Sequence, residues 1–180
     1  MSNTMARTSQ LMPHSSMLIK TITEQHEKVA YHDLLMKAIA DEPQFFRISP
    51  SDMEAEVFPT QDTLENFTLG AFNDEGELVG TVGFKRDTFL KIRHKGLIFR
   101  MYVSEKAKGY GLGRKLLLAL IERAKLGEGL RQIYLTVISN NQRAINLYLS
   151  EGFELYSREK GSIKMAENEF VDEDSMILYV

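Results

Sequence analysis

The sequence predicts an α/β fold, because a β-loop-α-β unit lies in the middle of the chain and a β-hairpin precedes it. The apolar run Leu97 to Val103 predicts a buried strand, Arg114 to Leu126 a helix with one apolar face, and Arg131 to Ile138 a second strand. A right-handed crossover between the two strands would make them parallel. Since the first strand is apolar at nearly every position, both of its faces should be covered.

The N-terminal third predicts an extension, a strand and a helix. Residues 1–16 are polar and lack periodicity, which indicates a flexible extension before a single domain at residues 17–180. Met17 to Ile22 predicts a short first strand. Glu24 to Ala40 predicts an amphipathic helix that ends before Pro43, because a residue before proline disfavours the helical conformation.

A mixed segment connects this helix to the hairpin. Ser51 followed by Glu54 has the spacing of a capping box and predicts a short helix, and a further helical turn is predicted at residues 62–66. The hairpin strands are predicted at Phe67 to Phe72 and Glu77 to Lys85. The turn between these strands is supplied by Asn73-Asp74-Glu75-Gly76.

The C-terminal part predicts one helix and a final set of short strands. Ala144 to Ser150 should be helical, with Gly152 as its C-terminal cap. The strands are predicted at residues 153–158, 163–166 and 175–180, with a turn at Lys160 and Gly161. Between the last two lies an acidic cluster, which either attracts a cationic amine or keeps the surface soluble; it comprises Glu167, Glu169, Asp172, Glu173 and Asp174.

Composition excludes several classes of protein. The 180 residues carry a net charge of −3, which argues against a nucleic-acid partner. There is no cysteine, so thiolate metal sites and a cysteine nucleophile are excluded, and the four histidines lack ligand spacing, so no metal site is expected. No apolar run is long enough to span a membrane, and the first residues do not resemble a signal peptide. We therefore expect a cytoplasmic protein without a membrane partner.

The glycine-rich stretch after the first central strand is the strongest candidate for a binding site. Gly109, Gly111 and Gly113 allow the backbone to adopt positive φ and to pass close to a ligand. The amides of the loop and of the following helix would then face phosphate oxygens. The dinucleotide fingerprint G-x-G-x-x-G does not fit, because Arg114 or Leu116 stands where its third glycine would be. The P-loop does not fit either, because Gly113 is followed by Arg114 and Lys115 and not by Lys and Ser or Thr.

Two motifs in this order resemble the GNAT (GCN5-related) N-acetyltransferase family. Lys108-Gly109-Tyr110-Gly111-Leu112-Gly113 is similar to its coenzyme A loop, with Lys108 where the family usually has Arg or Gln. The segment from Asn141 to Tyr148, followed by Gly152-Phe153, is similar to its Asn-x-x-Ala-x-x-x-Tyr motif. The resemblance implies a mixed, largely antiparallel sheet of about six or seven strands with helices on both faces.

The resemblance also implies which residues contact acetyl-CoA. The central strand would splay from the next strand and bind the pantetheine arm, and a strand N–H would polarise the thioester. Asn141 would contact the pantetheine or pyrophosphate arm, cap the following helix, or do both. Tyr148 is the catalytic candidate, as general acid for the leaving thiolate or as a packed helix residue. The expected coenzyme contacts on the strand and the loop are Met101, Tyr102, Val103, Lys108, Gly109, Tyr110, Gly111, Leu112, Gly113 and Arg114.

The reaction implied is direct acetyl transfer from acetyl-CoA to an amine in a ternary complex. The acceptor is expected to be a small-molecule amine rather than a protein amine, and homodimers are common in the family. The acceptor cleft could include Phe45, Phe46 and Phe58, which could equally be core residues. No motif identifies the base; the candidates are Glu54, Glu56, His94 and Glu173. A non-catalytic acyl-CoA-binding regulator is the alternative function.

Overall fold

The computed structural model describes residues 17–180, and the predicted extension at residues 1–16 lies outside them. Within the described residues the chain forms one mixed sheet of seven strands in the order β1-β2-β3-β4-β5-β7-β6. The elements are β1 Leu18–Thr21, α1 Gln25–Asp41, α2 Pro50–Glu54, β2 Asn66–Phe72, β3 Leu78–Arg86, β4 Lys95–Val103, α3 Leu112–Lys125, β5 Gln132–Ile138, α4 Gln142–Ser150, β6 Glu154–Ala166 and β7 Glu169–Tyr179.

The pairing of β4 with β5 is the one parallel pairing among these strands; the other neighbours are antiparallel. This confirms the predicted fold class and the parallel crossover. The parallel ladder is short, since it joins only Lys95–Leu97 to Gln132–Tyr134. Beyond it, β4 continues to Val103 without a partner on this side, while β5 pairs with β7. We call the space between the strands beyond this ladder the β4–β5 gap.

Helices cover both faces of the sheet. On one face, here called the α3 face, Leu116, Leu117 and Leu120 of α3 pack in a core with Val82 of β3 and Tyr148 of α4. On the opposite face, here called the α1 face, α1 and α2 pack in a second, smaller core. Burial on both sides explains why β3 and β4 are apolar at almost every position. No helix within residues 17–180 is both long and apolar enough to cross a membrane.

A β-bulge interrupts β4 halfway along its length. Thr81 pairs with Tyr102 but Gly83 pairs with Phe99, so that two residues of β4, Arg100 and Met101, oppose one residue of β3. Arg100 has φ 51°, a left-handed conformation that is uncommon outside glycine. Its guanidinium donates to the hydroxyl of Tyr31 (3.4 Å) and to the carboxylate of Glu56, and these contacts hold the bulge against α1 and α2.

Several predicted boundaries between α1 and α3 were wrong. The capping box of α2 is formed by Ser49 and Asp52, not by Ser51 and Glu54, and Pro50 occupies the start of the helix. Residues 62–66 do not form a helical turn; they form an isolated bridge between positions 63 and 66. Helix α3 begins at Leu112, two residues earlier than predicted, because the preceding Gly111 provides a left-handed N-cap.

The C-terminal strands were predicted only in part: the predicted segments at residues 153–158 and 163–166 fall in β6, and that at residues 175–180 falls in β7, antiparallel to β6. β6 is continuous from Glu154 to Ala166, and the predicted turn at residues 160–161 is an irregular stretch within it. The acidic cluster that was expected between the last two strands lies mostly in β7, which begins at Glu169. Asp174 is buried there and accepts two hydrogen bonds from Arg158, from Nε at 2.5 Å and Nη2 at 2.8 Å. The acidic residues therefore do not form one solvated patch.

Candidate active site

A cavity of about 840 Å³ lies beside the free end of β4. It is bordered by the connection between α1 and α2, the last residues of β4, the glycine-rich loop and α4. It brings together most of the residues that the sequence predicted as functional, although they come from three separate segments. Those that line it are Met101, Tyr102, Val103, Lys108, Gly109, Gly111, Leu112, Gly113, Arg114, Asn141 and Tyr148. Tyr110 does not line it, and its side chain is mostly exposed.

The β4–β5 gap leaves backbone groups of β4 available to a ligand. Met101, Tyr102 and Val103 lie beyond the parallel ladder, so their edge toward β5 has no strand partner. Unpaired backbone groups in a partly buried setting need hydrogen bonds from some other source. An extended arm with amide groups could pair with this edge as an additional strand would.

The glycine-rich loop fits an anion. Gly109 has φ 87° and Gly111 has φ 70°, and no atom lies within 4 Å of a Cβ built at either position. Both residues adopt a conformation that other residues reach only with strain. The loop leads directly into α3, whose first N–H groups and helix dipole attract negative charge. The loop and the helix therefore present a suitable cradle for a pyrophosphate.

Gly113 differs from the two glycines before it. It lies within α3 and has no positive φ, so the expectation of left-handed backbone at all three glycines was wrong for this one. A Cβ here would lie 3.5 Å from Leu147 Cδ2 and 3.6 Å from Met101 Cε, which are ordinary contact distances. The absence of a side chain keeps the first turn of α3 open toward the cavity.

Lys108 and Arg114 flank the loop and both are tied to neighbouring elements. Lys108 Nζ contacts the carboxylate of Glu42 at 2.7 Å and also that of Glu105. Arg114 Nη2 donates to the hydroxyl of Ser150 at 2.9 Å, and its Nε lies 2.9 Å from the carboxylate of Glu151. Lys108 thus joins the loop to the end of α1, and Arg114 joins the start of α3 to the end of α4.

Asn141 is the N-cap of α4. Its side-chain oxygen accepts a hydrogen bond from the N–H of Ala144 at 3.2 Å, as the sequence predicted. The cap fixes one end of the side chain while the residue lines the cavity. Its amide nitrogen can therefore donate toward a ligand without loss of the cap.

Tyr148 lies where α4 faces the end of β4. Its hydroxyl is 3.6 Å from Met101 Sδ, and its ring packs against Phe153 with centroids 5.7 Å apart. Burial raises the pKa of Tyr148, so the phenol stays protonated over the whole physiological range. The residue is therefore a hydrogen-bond donor located beside the free edge of β4.

The four candidate bases do not form a cluster. Glu56 is paired with Arg100, and Glu173 is buried beside Arg47, with Oε1 3.2 Å from Nη1. His94 precedes β4, at the end of the strand that is remote from the glycine-rich loop. Glu54 ends α2 and lines neither this cavity nor a second one of about 570 Å³ between α1 and α2.

The predicted aromatic residues separate into two places. Phe45 and Phe46 line the main cavity, and the ring of Phe46 packs on Tyr102 with centroids 6.0 Å apart. Phe58 packs on Tyr31 and lines the second cavity instead. Sequence reasoning missed Glu42 and Arg143, which also line the main cavity. The position of Arg143 in the cavity could have been predicted, since it lies two residues after the capping Asn141, at the start of α4.

Comparison with known proteins decides the family. The model of the acetyltransferase (GNAT) family matches residues 34–153, which is more than half of the chain. The chain belongs to the GNAT acetyltransferase family. The match spans both motifs and the strands that border the β4–β5 gap, so the predicted family is confirmed. GNAT proteins use acetyl-CoA.

Solved GNAT structures share this fold. An acetyltransferase of Streptococcus pneumoniae superposes with a TM-score of 0.78 at 23% identity, over 92% of this chain and 100% of that one. A GCN5-related N-acetyltransferase of Kribbella flavida gives 0.77 at 20% identity, over 91% and 98%. A Salmonella typhimurium protein solved with its cofactor acetyl-CoA gives 0.73 at 22% identity, over 92% and 94%. At these identities the similarity shows the fold.

One curated relative matches a shorter segment. The spermine/spermidine N(1)-acetyltransferase of Bacillus subtilis is 40% identical over 55 residues, which are 31% of this chain and 36% of the relative. The matched segment thus spans about a third of that enzyme.

Proposed function

We propose that the protein transfers the acetyl group of acetyl-CoA to a primary amine of a small molecule, by direct attack within a ternary complex. The observation that supports this most is the cavity, which connects the glycine-rich loop to the unpaired edge of β4. A phosphate-binding loop at one end and a row of free backbone groups at the other suit a coenzyme with a pyrophosphate and an amide-containing arm.

Each part of the cavity would have its own role. The loop from Lys108 to Arg114 would bind the pyrophosphate through backbone N–H groups and the dipole of α3. The β4 edge from Met101 to Val103 would bind the pantetheine arm. One of its N–H groups would donate to the thioester carbonyl and stabilise the negative charge that develops there. Asn141 would add a side-chain contact from the start of α4.

Tyr148 would donate a hydrogen bond to the departing sulfur. Its raised pKa keeps the proton on the phenol but makes full transfer to a thiolate, whose conjugate acid has a pKa of about 8.5, unfavourable. Stabilisation of the developing thiolate by the hydrogen bond is therefore the larger contribution. The proton released by the amine can then reach the sulfur or the solvent.

The amine itself would be the nucleophile. The chain has no cysteine and no serine in a nucleophile motif, so no acyl-enzyme is expected. An amine must lose its proton to attack, and none of the four candidate bases lines the main cavity. We therefore assign no side chain as the base.

Calorimetry and a turnover assay test this function together. Acetyl-CoA and coenzyme A should bind in titrations whereas ATP should not, and amines should then release thiol from acetyl-CoA. Failure of both coenzyme forms to bind would disprove the loop assignment. Binding without thiol release for any amine would favour the regulatory acyl-CoA-binding module instead.

A further inference from the structure

Arg47 does not line the main cavity but directly follows Phe46, which does. The ring of Phe46 rests on Tyr102 of β4 on the α1 face. The guanidinium of Arg47 reaches over to the next strands, where Nη1 lies 3.4 Å from Thr136 Oγ1 of β5 and 3.2 Å from Glu173 Oε1 of β7. The residue therefore lies on the α1 face beside the β4–β5 gap: its neighbour Phe46 packs on β4, and its guanidinium contacts β5 and β7.

The faces of the strands support this placement. Leu135 and Val137 belong to the core on the α3 face, so Thr136 between them points to the α1 face. Glu173 pairs with Ile138 in the ladder and shares that face. An acceptor that approaches the gap from the α1 face, opposite to α3 and α4, could contact Arg47.

Of the Arg47–Glu173 pair, the arginine is the partner that solvent and a ligand can reach. Glu173 is only 6% exposed, whereas the Arg47 side chain is 61% exposed. The buried carboxylate contacts Nη1, and within residues 17–180 no hydrogen bond engages Nε or Nη2 of Arg47. Glu173 thus anchors the arginine by one nitrogen and leaves the other edge of the guanidinium free.

That free edge is suited to a carboxylate. Nε and Nη2 form two parallel N–H donors in the plane of the guanidinium, a geometry that matches the two oxygens of a carboxylate. The same protein uses this edge elsewhere, since Nε and Nη2 of Arg158 hold Asp174 at 2.5 and 2.8 Å. A polyamine has no group that could pair with it.

We infer that the acceptor is an amine that also carries a carboxylate, of the amino-acid class, and that Arg47 binds this carboxylate. Arg47 is thus a specificity-determining residue and Glu173 its positioning residue. The inference rests on the proposed function and specifies its substrate. It differs from the polyamine acceptor named for the Bacillus subtilis relative, whose matched segment covers only 36% of that enzyme.

The test compares amino acids with their decarboxylated amines, and both with spermidine, by thiol release from acetyl-CoA. Amino acids should react with a kcat/KM at least about 10-fold above that of their decarboxylated counterparts, because the counterparts leave the arginine unpaired. Equal or better turnover of decarboxylated amines or spermidine would overturn the inference, and so would the absence of turnover with every amino acid.

A variant separates the acceptor contact from the fold. Arg47→Lys keeps the charge beside Glu173 but loses the planar edge, so KM for the preferred acceptor should rise about 10- to 100-fold. Arg158→Lys, in the equivalent pair with Asp174, is the matched control and should leave KM unchanged. An unchanged acceptor preference in Arg47→Lys would overturn the inference. Calorimetric binding of acetyl-CoA, measured on each variant, reports separately on the proposed function.

Discussion

Replacing Gly111 by alanine isolates the backbone conformation of the coenzyme loop. Gly111 has φ 70°, and nothing lies within 4 Å of a Cβ built there, so an added methyl group meets no steric obstacle. The whole effect is then the cost of placing an L-residue in the left-handed region, about 1–2 kcal/mol. For a chain of this length we expect a loss of about 2–8 °C in the unfolding temperature.

Gly113→Ala is the matched control, two residues further along. Gly113 is helical, and its new methyl group would make ordinary contacts at 3.5 Å with Leu147. Because alanine favours helix over glycine, this change should stabilise the protein by up to about 1 kcal/mol. The two substitutions, chemically identical, should therefore shift stability in opposite directions.

Differential scanning calorimetry measures both shifts, and acetyl-CoA titration follows the consequence for the site. Gly111→Asn should recover part of the loss, because asparagine tolerates the left-handed region better than alanine. An unfolding temperature in Gly111→Ala equal to that of the parent would refute the reasoning. So would a loss in Gly113→Ala as large as that in Gly111→Ala.

Three further predictions follow from side chains near the sheet. Tyr148→Phe should lower kcat about 10- to 100-fold, because it removes one hydrogen bond to a charged sulfur. Calorimetry should show an unchanged affinity for acetyl-CoA. An unchanged kcat would show that Tyr148 is not the donor. Arg100→Gly should be more stable than Arg100→Ala by about 1 kcal/mol in urea unfolding, because both lose the contacts of the guanidinium but only glycine accepts φ 51° without strain. Equal stabilities would contradict this. Burial, reinforced by Asp87, raises the pKa of Tyr134 to about 12. The unfolded chain loses this proton from about pH 10, before the folded chain does, so stability should fall as pH rises from 10 to about 12. Urea unfolding across this range should show a smaller fall in Tyr134→Phe, and an equal fall would argue against the shift.

Elements with a long and regular pattern were predicted well from the sequence. α1, α3 and the hairpin of β2 and β3 were placed to within two residues at each end, because each has one apolar face over several turns or a clear turn signal. The parallel pairing of β4 and β5 followed from the crossover rule. The two motifs identified the family, since glycine positions and helix caps are local features.

Elements that depend on contacts between residues distant in sequence could not be predicted from the sequence. Ser49 and Ser51 both have an acidic residue three positions later, and only the proline between them favours the first as N-cap. The first half of β7, residues 169–174, was not predicted as a strand because it is acidic. Asp174 and Glu173 within it are buried, and their charges are balanced by Arg158 and Arg47 from other segments. A carboxylate in a strand looks like a surface residue until its partner is known.

The same limit applies to the candidate site. The loop and Tyr148 were found from motifs, but the contact of Lys108 with Glu42 joins residues 66 positions apart. The reach of Arg47 to β7 joins residues 126 positions apart. No sequence pattern near these residues predicts either contact, because both depend on how the connection between α1 and α2 lies over the sheet.

The bulge in β4 has a consequence for which side chains meet the ligands. Side chains alternate between the faces of a strand, and one additional residue reverses the alternation beyond it. Ile98 points to the α3 face before the bulge, whereas after it Met101 and Val103 take that face and Tyr102 points to α1. Deletion of one residue would exchange these positions and turn the tyrosine toward the glycine-rich loop. The length of this strand therefore determines which of its side chains face each core.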